Sequence, residues 1–427
     1  MQSRPWVQRL ILTAAFATVI IHGSVTAFVR HQPFRDFDVQ REVGRRFLTG
    51  EYLYAQDFCY PYMPIAAMYF SPLALFERET GLALRYTVAA ACLWWTLSLL
   101  YRMVRERAEA SRSQPLLLSV FTVLLAFQFL LQDLDDGGPN LILLAIIVTG
   151  IYSVWRGREG LGGAWFGLAT ALKVTPALFL PFFLWKRRWR LAGLTAVATL
   201  CWMLLPMVWM GSENWWNHQR EWIQVSAGSF IGHKTEATIR NEERGNNQAL
   251  RQALMRYLVT FPEDLMVRRG YPGYVPLLDL PPATAGTVFV IATTALLAIL
   301  AWRSRRPYAA SNGPAWLREC SAVMILALLL CPVTWNQHLV WLVPALYVVV
   351  LDARSEGGLG MLRTIALGIY ALLVVILTHD VLGKQRFDVL MNYHPFTIAM
   401  LLLLAMVLFP RPSPEPGWLT SKSPAPA

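Results

Sequence analysis

Charge is what this sequence has little of. Only 15% of its 427 residues are charged, whereas soluble domains carry roughly 25%. Hydrophobic residues make up 55% of the chain, and the mean hydropathy is +0.40. This shortage excludes an ordinary soluble domain and favours a protein embedded in a membrane. The 17 tryptophans agree with that view, because indole rings concentrate at the boundary between lipid and water.

Motifs built on cysteine or on nucleotide-binding glycines are also missing. Of five cysteines, four lie within apolar runs: Cys92, Cys201, Cys320 and Cys331. No disulfide framework or metal-binding spacing is visible, and we expect neither a metal nor another cofactor. The net charge of +11 could indicate a nucleic-acid partner, but the distribution of the basic residues along the chain is explained better by membrane topology, as described below.

Hydrophobic runs divide the chain throughout. The first, Leu10–Val29, could be a signal peptide ending at Val25–Ala27, but its length and the many later runs favour an uncleaved helix. We predict an all-α polytopic membrane protein with about ten full transmembrane helices of roughly 20 residues each. It forms a single domain over residues 1–409. The Pro- and Ser-rich tail, 410–427, is predicted to be disordered and cytoplasmic.

The charges are unequally divided between the polar segments. With a cytoplasmic N-terminus, the inner segments hold 20 Lys or Arg and 7 acids, and the outer segments hold 16 and 20. The inner ones are 1–9, 102–115, 156–163, 186–190, 303–319, 352–363 and 410–427. This bias has the sign that the positive-inside rule requires, so the excess of basic residues reports topology and we expect no nucleic acid. The two large polar loops, 30–81 and 211–282, then lie on the extracytoplasmic side.

One apolar run is interrupted. Ala164–Trp185 contains Lys173 and has basic residues on both flanks, which disfavours a simple crossing. We predict two half-helices that break near Pro176 and return to the same side as a re-entrant pair. A cation at that depth is typical of a functional site, and a lipid phosphate would be the natural partner of Lys173. Snorkelling of the side chain to the interface is the alternative.

Two carboxylates, Asp36 and Asp38, follow the first hydrophobic run, and an interfacial helix is predicted from Asp38 to Leu48, ended by Gly50. A carboxylate can accept the proton of a hydroxyl that attacks an anomeric carbon. The alternative is that either residue caps the helix. We take Asp36 as the first catalytic candidate. Asp38 is the second, although a capping role is favoured for it.

A second acidic cluster, Asp133, Asp135 and Asp136, lies between two short apolar runs. It could be a metal site or a wall of an acceptor site, but a solvated turn through Gly137–Pro139 is favoured. Asn140 would cap the next helix in either case.

Two further polar groups are candidates. His338 follows Gln337 at the outer end of two apolar runs, and its imidazole could bind phosphate, although lone histidines are more often structural. In the large outer loop a helix is predicted over Asn247–Val259. Its arginines, including Arg251, share one face and could grip phosphate, or form a solvated surface.

These motifs together resemble glycosyltransferase family 87. The resemblance lies in RDFDVQREVGRRFLTGEYLY and YPYMPIAAMYFSPLALF in the first loop, in GLGGAWFGLATALKVTPALFLPFFLWKRRWR, in GNNQALRQALMR and in NQHLVWLVPALY. The chain departs from the family pattern in three places: Gln337 stands where a first His is common, Ala249 where a Ser is common, and QDLDDGGPN replaces a Gly-Gln-x-Asn turn.

The resemblance implies a GT-C-type integral membrane mannosyltransferase that uses polyprenyl-phosphate mannose. Carried over residue by residue, it makes Asp36 the general base and His338 and Lys173 contacts of the sugar phosphate. The other substrate-binding candidates are Gln337, Asn247, Gln248, Arg251, Tyr54 and Tyr60.

The resulting hypothesis is sugar transfer from a polyprenyl-phosphate donor to a lipid or glycan acceptor, among membrane lipids, at the extracytoplasmic face of the cell membrane. A polysaccharide ligase or polymerase, relying on loop arginines, is one alternative. A transporter or flippase of lipid-linked sugar is another, but it would show broken helices at matching positions in two halves, and only one broken run is visible.

Overall fold

The computed structural model describes residues 17, 21, 25, 35–54, 60, 62–110, 114–224, 246–260, 276–308, 313–355 and 358–410. Within these ranges the chain is helical, with no strand, so the predicted all-α class is confirmed. The predicted first span, apart from three isolated positions, lies outside the described residues, as does the predicted disordered tail beyond residue 410.

The described residues form a series of helices. In chain order they are α1 Arg35–Thr49, α2 Pro64–Ala74, α3 Arg78–Ala110, α4 Pro115–Asp135, α5 Asn140–Trp155, α6 Glu159–Leu172, α7 Phe179–Trp185, α8 Trp189–Leu204, α9 Met207–Met210, α10 Ser212–Trp222, α11 Leu250–Leu258, α12 Pro282–Arg303, α13 Gly313–Leu330, α14 Val343–Ala353, α15 Met361–Ala371, α16 His379–Leu382, α17 Lys384–Met391 and α18 Pro395–Leu408. Two 3₁₀ segments, Thr175–Leu178 and Asn336–Leu342, precede α7 and α14, and a π-helical segment, Leu372–Ile376, follows α15.

Several helices are long and apolar enough to cross a bilayer. Six segments meet this condition in the described part of the chain: Arg78–Arg105, Pro115–Asp135, Trp189–Met210, Pro282–Arg303, Gly313–Leu330 and Asn336–Ala353. A seventh arises if α17 and α18, bent by 57°, form one broken span. The chain is therefore a multi-pass membrane protein. The predicted count of about ten full spans is not confirmed by these described segments.

The polar segment before α3 contains two helices, α1 and α2, that pack against each other. Gly44 of α1 lies against α2 so closely that a Cβ atom there would be 2.6 Å from the carbonyl oxygen of Phe70. Helix α1 ends at Thr49, before Gly50 with φ of +74°, as predicted. Its start differs from the prediction: the described helix already includes Arg35, so Asp38 lies inside the first turn and does not begin the helix.

The interrupted run is broken where the sequence predicted. Helix α6 ends at Leu172, Lys173 is extended (φ −151°, ψ 126°), and the chain resumes as the 3₁₀ turn Thr175–Leu178. Pro176 lies in this turn, where its missing N–H costs no helical hydrogen bond. The extended residue turns the Lys173 side chain toward the start of α5, where the candidate site lies.

Candidate active site

Asp36 lies near the start of α1 and is only half-buried. Its carboxylate lies close to the Gln337 side chain, and the positive charges of Lys173 and Arg85 act on it. Burial raises the pKa of Asp36 above its ordinary value, while the Gln337 hydrogen bond and then the two cations oppose that rise. The backbone N–H of Phe37 donates to the Asp136 carbonyl at 3.2 Å, which fixes the start of α1 against the turn between α4 and α5.

The turn after α4 is organised by Asp133, which is 1% exposed. Its carboxylate accepts from the backbone N–H of Asn140 (3.3 Å) and of Leu141 (3.1 Å), and from the Asn140 side-chain amide (2.8 Å). It therefore satisfies the first N–H groups of α5, which otherwise have no partner within the helix. Gly138 makes this possible, since a Cβ there would lie 2.4 Å from Asp133 Oδ1.

This geometry corrects two predictions. The favoured interpretation of the acidic cluster as a solvated turn is wrong for Asp133, although Asp135 is exposed. Asn140 is not the cap of α5 but its first residue, and the capping carboxylate comes from Asp133. The metal-site alternative finds no support either, because no group of three His, Cys, Asp or Glu residues converges within the described ranges.

Lys173 reaches this same turn. Its ammonium donates to the Asn140 side-chain oxygen at 3.0 Å and lies 5.6 Å from the centre of the Trp341 ring, within cation–π range. The Trp341 indole N–H in turn donates to the Asn140 carbonyl at 3.3 Å. Asn140 therefore joins Asp133, Lys173 and Trp341 in one hydrogen-bonded group beside Asp36.

Arg85, on α3, is a residue that the sequence analysis did not select. It is 5% exposed and donates to the Gly138 carbonyl. Within the described ranges, neither Arg85 nor Lys173 has a carboxylate oxygen at ion-pairing distance. The rule that charges inside apolar segments mark functional sites would have found Arg85, since Gly81–Tyr101 contains no other charged residue.

Gln337 and His338 complete this side of the group. Both belong to the 3₁₀ segment Asn336–Leu342, which places Gln337 against Asp36 and His338 near Lys173. The His338 Nδ1 atom accepts from the Trp335 backbone N–H at 3.3 Å. The structure thus brings together four of the predicted site residues, from three separated stretches of the chain: Asp36, Lys173, Gln337 and His338.

An apolar recess adjoins the group between α2, α5 and α6. Its lining comprises Tyr62, Ala66, Tyr69, Phe70, Pro139, Ile142, Leu143 and Leu172. Pro139 and Leu172 directly precede Asn140 and Lys173 in the chain, so the recess begins where the hydrogen-bonded group ends. Apolar side chains therefore border the polar group on this side.

Asp38 does not join the group. Its two carboxylate oxygens accept from Arg78 Nε (2.7 Å) and Nη2 (2.9 Å), as a bidentate ion pair that ties α1 to the start of α3. This pairing favours a structural role for Asp38 over the predicted catalytic one.

Asn247 and Gln248 are fully buried, and their side chains connect the segment before α11 to later elements. The Asn247 side chain accepts from the Thr334 N–H at 2.8 Å and donates to the Pro332 carbonyl at 2.9 Å. The Gln248 side chain donates to the Met391 carbonyl and accepts from the Phe396 N–H. These contacts favour a structural role over the predicted substrate contact. Arg251 is half-buried on the first turn of α11, which begins at Leu250 and not at Asn247 as predicted.

Tyr54 and Tyr60 are buried beyond the end of α1. Their hydroxyls donate to the carbonyls of Tyr62 (2.8 Å) and Met63 (3.1 Å), and burial raises the pKa of both phenols. His218 of α10 packs against this cluster and accepts from the Leu53 N–H at 3.2 Å. It was not selected from the sequence, where a lone histidine in SENWWNHQREW carries no distinguishing pattern.

Comparison with known proteins adds to this geometry. The sequence model of glycosyltransferase family 87 matches residues 58–266. The resemblance to glycosyltransferase family 87 is confirmed. So is the predicted enzyme class, a glycosyltransferase. The matched residues include Lys173 and the Asn247–Gln248 pair, while Asp36, Gln337 and His338 lie outside them.

Relatives among curated proteins point the same way. A polyprenol-phosphate-mannose-dependent alpha-(1-2)-phosphatidylinositol mannoside mannosyltransferase of Mycobacterium tuberculosis is 25% identical over 93% of this chain and 90% of its own length. Its namesake from Mycolicibacterium smegmatis is 25% identical over 75% of this chain and 71% of its own length. A corresponding pentamannoside mannosyltransferase of Mycobacterium tuberculosis is 28% identical over 72% of this chain and 63% of its own length.

Proposed function

We propose that this family 87 glycosyltransferase transfers mannose from polyprenyl-phosphate mannose to a glycolipid of the phosphatidylinositol mannoside class, at the extracytoplasmic face of the cell membrane. The names of the relatives support the donor and the acceptor class. The chain's own geometry supports the placement of the chemistry at Asp36.

The observation that carries the proposal is a pair of cations, Arg85 and Lys173, beside a half-buried carboxylate. Burying a charge is costly unless an opposite charge or a set of hydrogen bonds compensates it. Within the described ranges these two cations have backbone and amide oxygens as partners but no carboxylate ion pair. The phosphate of a lipid-linked sugar would supply the missing negative charge, and its apolar chain would start in the neighbouring recess.

In the proposed reaction, one negative charge is lost from Asp36 and one is gained by the phosphate of the leaving lipid. The acceptor hydroxyl oxygen bonds to the anomeric carbon of mannose, and the bond from that carbon to the phosphate oxygen breaks, with inversion. Asp36 takes the hydroxyl proton and becomes neutral, while the leaving polyprenyl phosphate gains a second negative charge. Total charge is conserved. In this proposal Lys173 and Arg85 lie beside both Asp36 and the phosphate, where their positive charges stabilise the leaving group.

The finer architecture is part of the proposal. We infer a GT-C-type fold in one domain over residues 1–409, with about ten spans and a re-entrant pair at Lys173. The break between α6 and α7 supports the pair. The charge bias of the polar segments supports an outer position for Asp36. His338, Gln337, Arg251, Tyr54 and Tyr60 remain predicted substrate contacts, the first two with direct support from their position beside Asp36 and Lys173.

Purified protein in proteoliposomes, given labelled polyprenyl-phosphate mannose and phosphatidylinositol mannosides, tests the proposal. We expect label in a larger glycolipid, and none when a nucleotide-linked mannose replaces the lipid donor. Movement of the labelled lipid across the bilayer without product would overturn the proposal in favour of a flippase. Long products made without a single-sugar step would favour a polymerase.

A further inference from the structure

Two basic segments that are far apart in sequence lie together at one end of the helices. Segment 186–190 reads KRRWR and segment 303–306 reads RSRR, with seven Lys and Arg residues in total and no acid in either. The Lys186 ammonium joins them, because it donates to the carbonyls of Ser304 (2.8 Å) and Arg306 (2.6 Å). These two segments together are the basic patch.

Most of the cations in the basic patch are exposed and have no acidic partner among the residues that the structure describes. The carboxylates that reach it are already used, since Glu319 pairs with Lys186 at 2.9 Å and Glu159 pairs with Arg188. Four exposed arginines form no ion pair with any described residue: Arg187, Arg190, Arg305 and Arg306. Like charges held this close repel one another, so anions from outside the chain would stabilise the arrangement.

Exposed indole rings border the basic patch. The side chains of Trp185, Trp189 and Trp302 are 52%, 65% and 50% exposed. The Trp185 N–H is held by the Ala301 carbonyl at 3.1 Å, and the Arg305 guanidinium lies 5.6 Å from the Trp302 ring. Because exposed Trp rings favour the depth of the lipid headgroups, the basic patch lies at the level of headgroup phosphates.

The basic patch and Asp36 lie at opposite ends of the spans. Helix α12 ends at Arg303 and begins at Pro282, close to α11, because the Leu280 N–H donates to the Leu258 carbonyl at 2.8 Å. The segment before α11 is in turn hydrogen-bonded to Thr334, just ahead of the 3₁₀ segment that carries Gln337. With a rise of 1.5 Å per residue, α12 separates these ends by about 33 Å.

We propose that the basic patch binds headgroups of anionic phospholipids in the leaflet opposite to Asp36. The positive-inside rule requires basic residues on one side of the membrane but not their convergence. Here Lys186 holds two distant segments together. Four guanidinium groups that form no ion pair within the described ranges are thereby brought to one end of the helices, beside exposed Trp rings. The proposal does not depend on the identity of the sugar donor.

The test compares wild-type protein with a variant in which Arg187, Arg190, Arg305 and Arg306 are replaced by Gln. Each is reconstituted in phosphatidylcholine bilayers containing spin-labelled phosphatidylglycerol or spin-labelled phosphatidylcholine, and the motionally restricted fraction is measured. Wild type is expected to prefer phosphatidylglycerol. The variant is expected to lose at least roughly fivefold of that preference, since each basic residue near an anionic surface contributes about 1 kcal/mol. Added salt should weaken the wild-type preference.

A matched control removes the same charge from the same predicted side. Exposed arginines outside the basic patch are replaced by Gln in this control: Arg102, Arg156, Arg158 and Arg354. It should keep the wild-type preference for phosphatidylglycerol. Equal losses in both variants would show that net charge alone attracts the lipid, and no loss in the first variant would show that the basic patch does not bind it. Either result overturns the proposal.

Discussion

A carboxylate that removes a proton from an attacking hydroxyl must be ionised before the reaction and within reach of the substrate. Asp36 is half-buried and faces two cations, whereas Asp38 is held by Arg78. Replacing Asp36 with Asn keeps the size of the side chain and removes the base. We expect Asp36→Asn to lower the rate of mannose transfer by roughly 10²- to 10⁴-fold at unchanged thermal stability.

Asp38→Asn is the matched control for that change. Its side chain is 39% exposed and its Arg78 partner 26%, and ion pairs at such surfaces contribute only about 0–1 kcal/mol. We expect near-normal transfer and a slightly lower melting temperature. If Asp38→Asn abolished transfer while Asp36→Asn retained it, the assignment of the base would have to be exchanged.

The pH dependence of transfer follows from the same carboxylate. Burial raises the pKa of Asp36 above the usual 3.8, and a general base works only when deprotonated. Activity should therefore fall as the pH drops through this raised pKa, at a higher pH than an ordinary aspartate would give. Lys173 lowers the pKa of Asp36, so Lys173→Met should move the acid limb of kcat/KM further upward. If the acid limb of a folded Lys173→Met variant stayed at the wild-type pH, Lys173 would not be the cation that lowers the pKa of Asp36.

Asp133 is predicted to act on the donor through Asn140 and Lys173. An amide at position 133 cannot accept all the hydrogen bonds that the carboxylate accepts, so Asn140 would hold Lys173 less firmly. We expect Asp133→Asn to raise the KM for the lipid donor roughly tenfold, which corresponds to about 1.4 kcal/mol, close to the lower end of the range for a hydrogen bond to a charged group. The turnover number should change less.

Asp135→Asn serves as the control, because Asp135 belongs to the same acidic stretch but is exposed. It should leave the donor KM unchanged. A fall in melting temperature without any change in KM for Asp133→Asn would assign Asp133 to helix capping alone.

The sequence predicted the parts of the site that have a chemical signature, and it missed those that depend on folding. Asp36 and Lys173 stand out because they are charges beside or within apolar runs. The burial of Asp133 could not be predicted, since a DLDDGGPN turn is usually solvated. Only the folded chain places this turn under α1 and beside Lys173. Arg85 could have been predicted by the rule that selected Lys173, namely that a charge within an apolar segment marks a functional site.

At the scale of helices, the packing of α1 on α2 determines the position of Asp36, which lies in the first turn of α1. Gly44 allows it, because any Cβ there would collide with the Phe70 carbonyl oxygen at 2.6 Å, and a backbone atom cannot move aside as a side chain can. We expect Gly44→Ala to destabilise the protein by about 1–3 kcal/mol, as overpacking does, and to reduce transfer by displacing α1. Thermal unfolding in detergent measures the first effect.

Gly193→Ala is the natural comparison for Gly44→Ala. It lies inside α8, and a Cβ there would meet nothing within 4 Å. Alanine is the better helix former by up to about 1 kcal/mol, so this change should be neutral or stabilising. If the two variants melted alike, the close approach of α1 and α2 would not be what positions Asp36.

Helix boundaries show the limits of sequence patterns at this scale. Gly50 and the Lys173–Pro176 break were predicted because glycine and proline act through local backbone geometry. The starts of α1 and α11 were misplaced, since both depend on distant contacts. Asn247 looked helical but is held outside α11 by Thr334 and Pro332, which come more than 80 residues later.

Across the whole molecule, the polar groups of the site and the basic segments collect at opposite ends of the same helices. Asn140 begins α5 beside Lys173, and the exposed Arg156 and Arg158 follow its other end, about 24 Å away at 1.5 Å per residue. The asymmetry predicted from counting charges along the sequence thus has a counterpart in space. It gives each end of the bundle a distinct expected side of the membrane.

Cysteine accessibility tests that orientation. In a chain with its five cysteines replaced, Thr49→Cys and Glu213→Cys introduce exposed thiols on the predicted outer side, and Arg158→Cys and Arg354→Cys do so on the inner side. A membrane-impermeant maleimide should label the first two in intact cells and the other two only after permeabilisation. The reverse pattern would put Asp36 in the cytosol. There nucleotide-linked sugars are available, and the chemical reason for a lipid-linked donor would disappear.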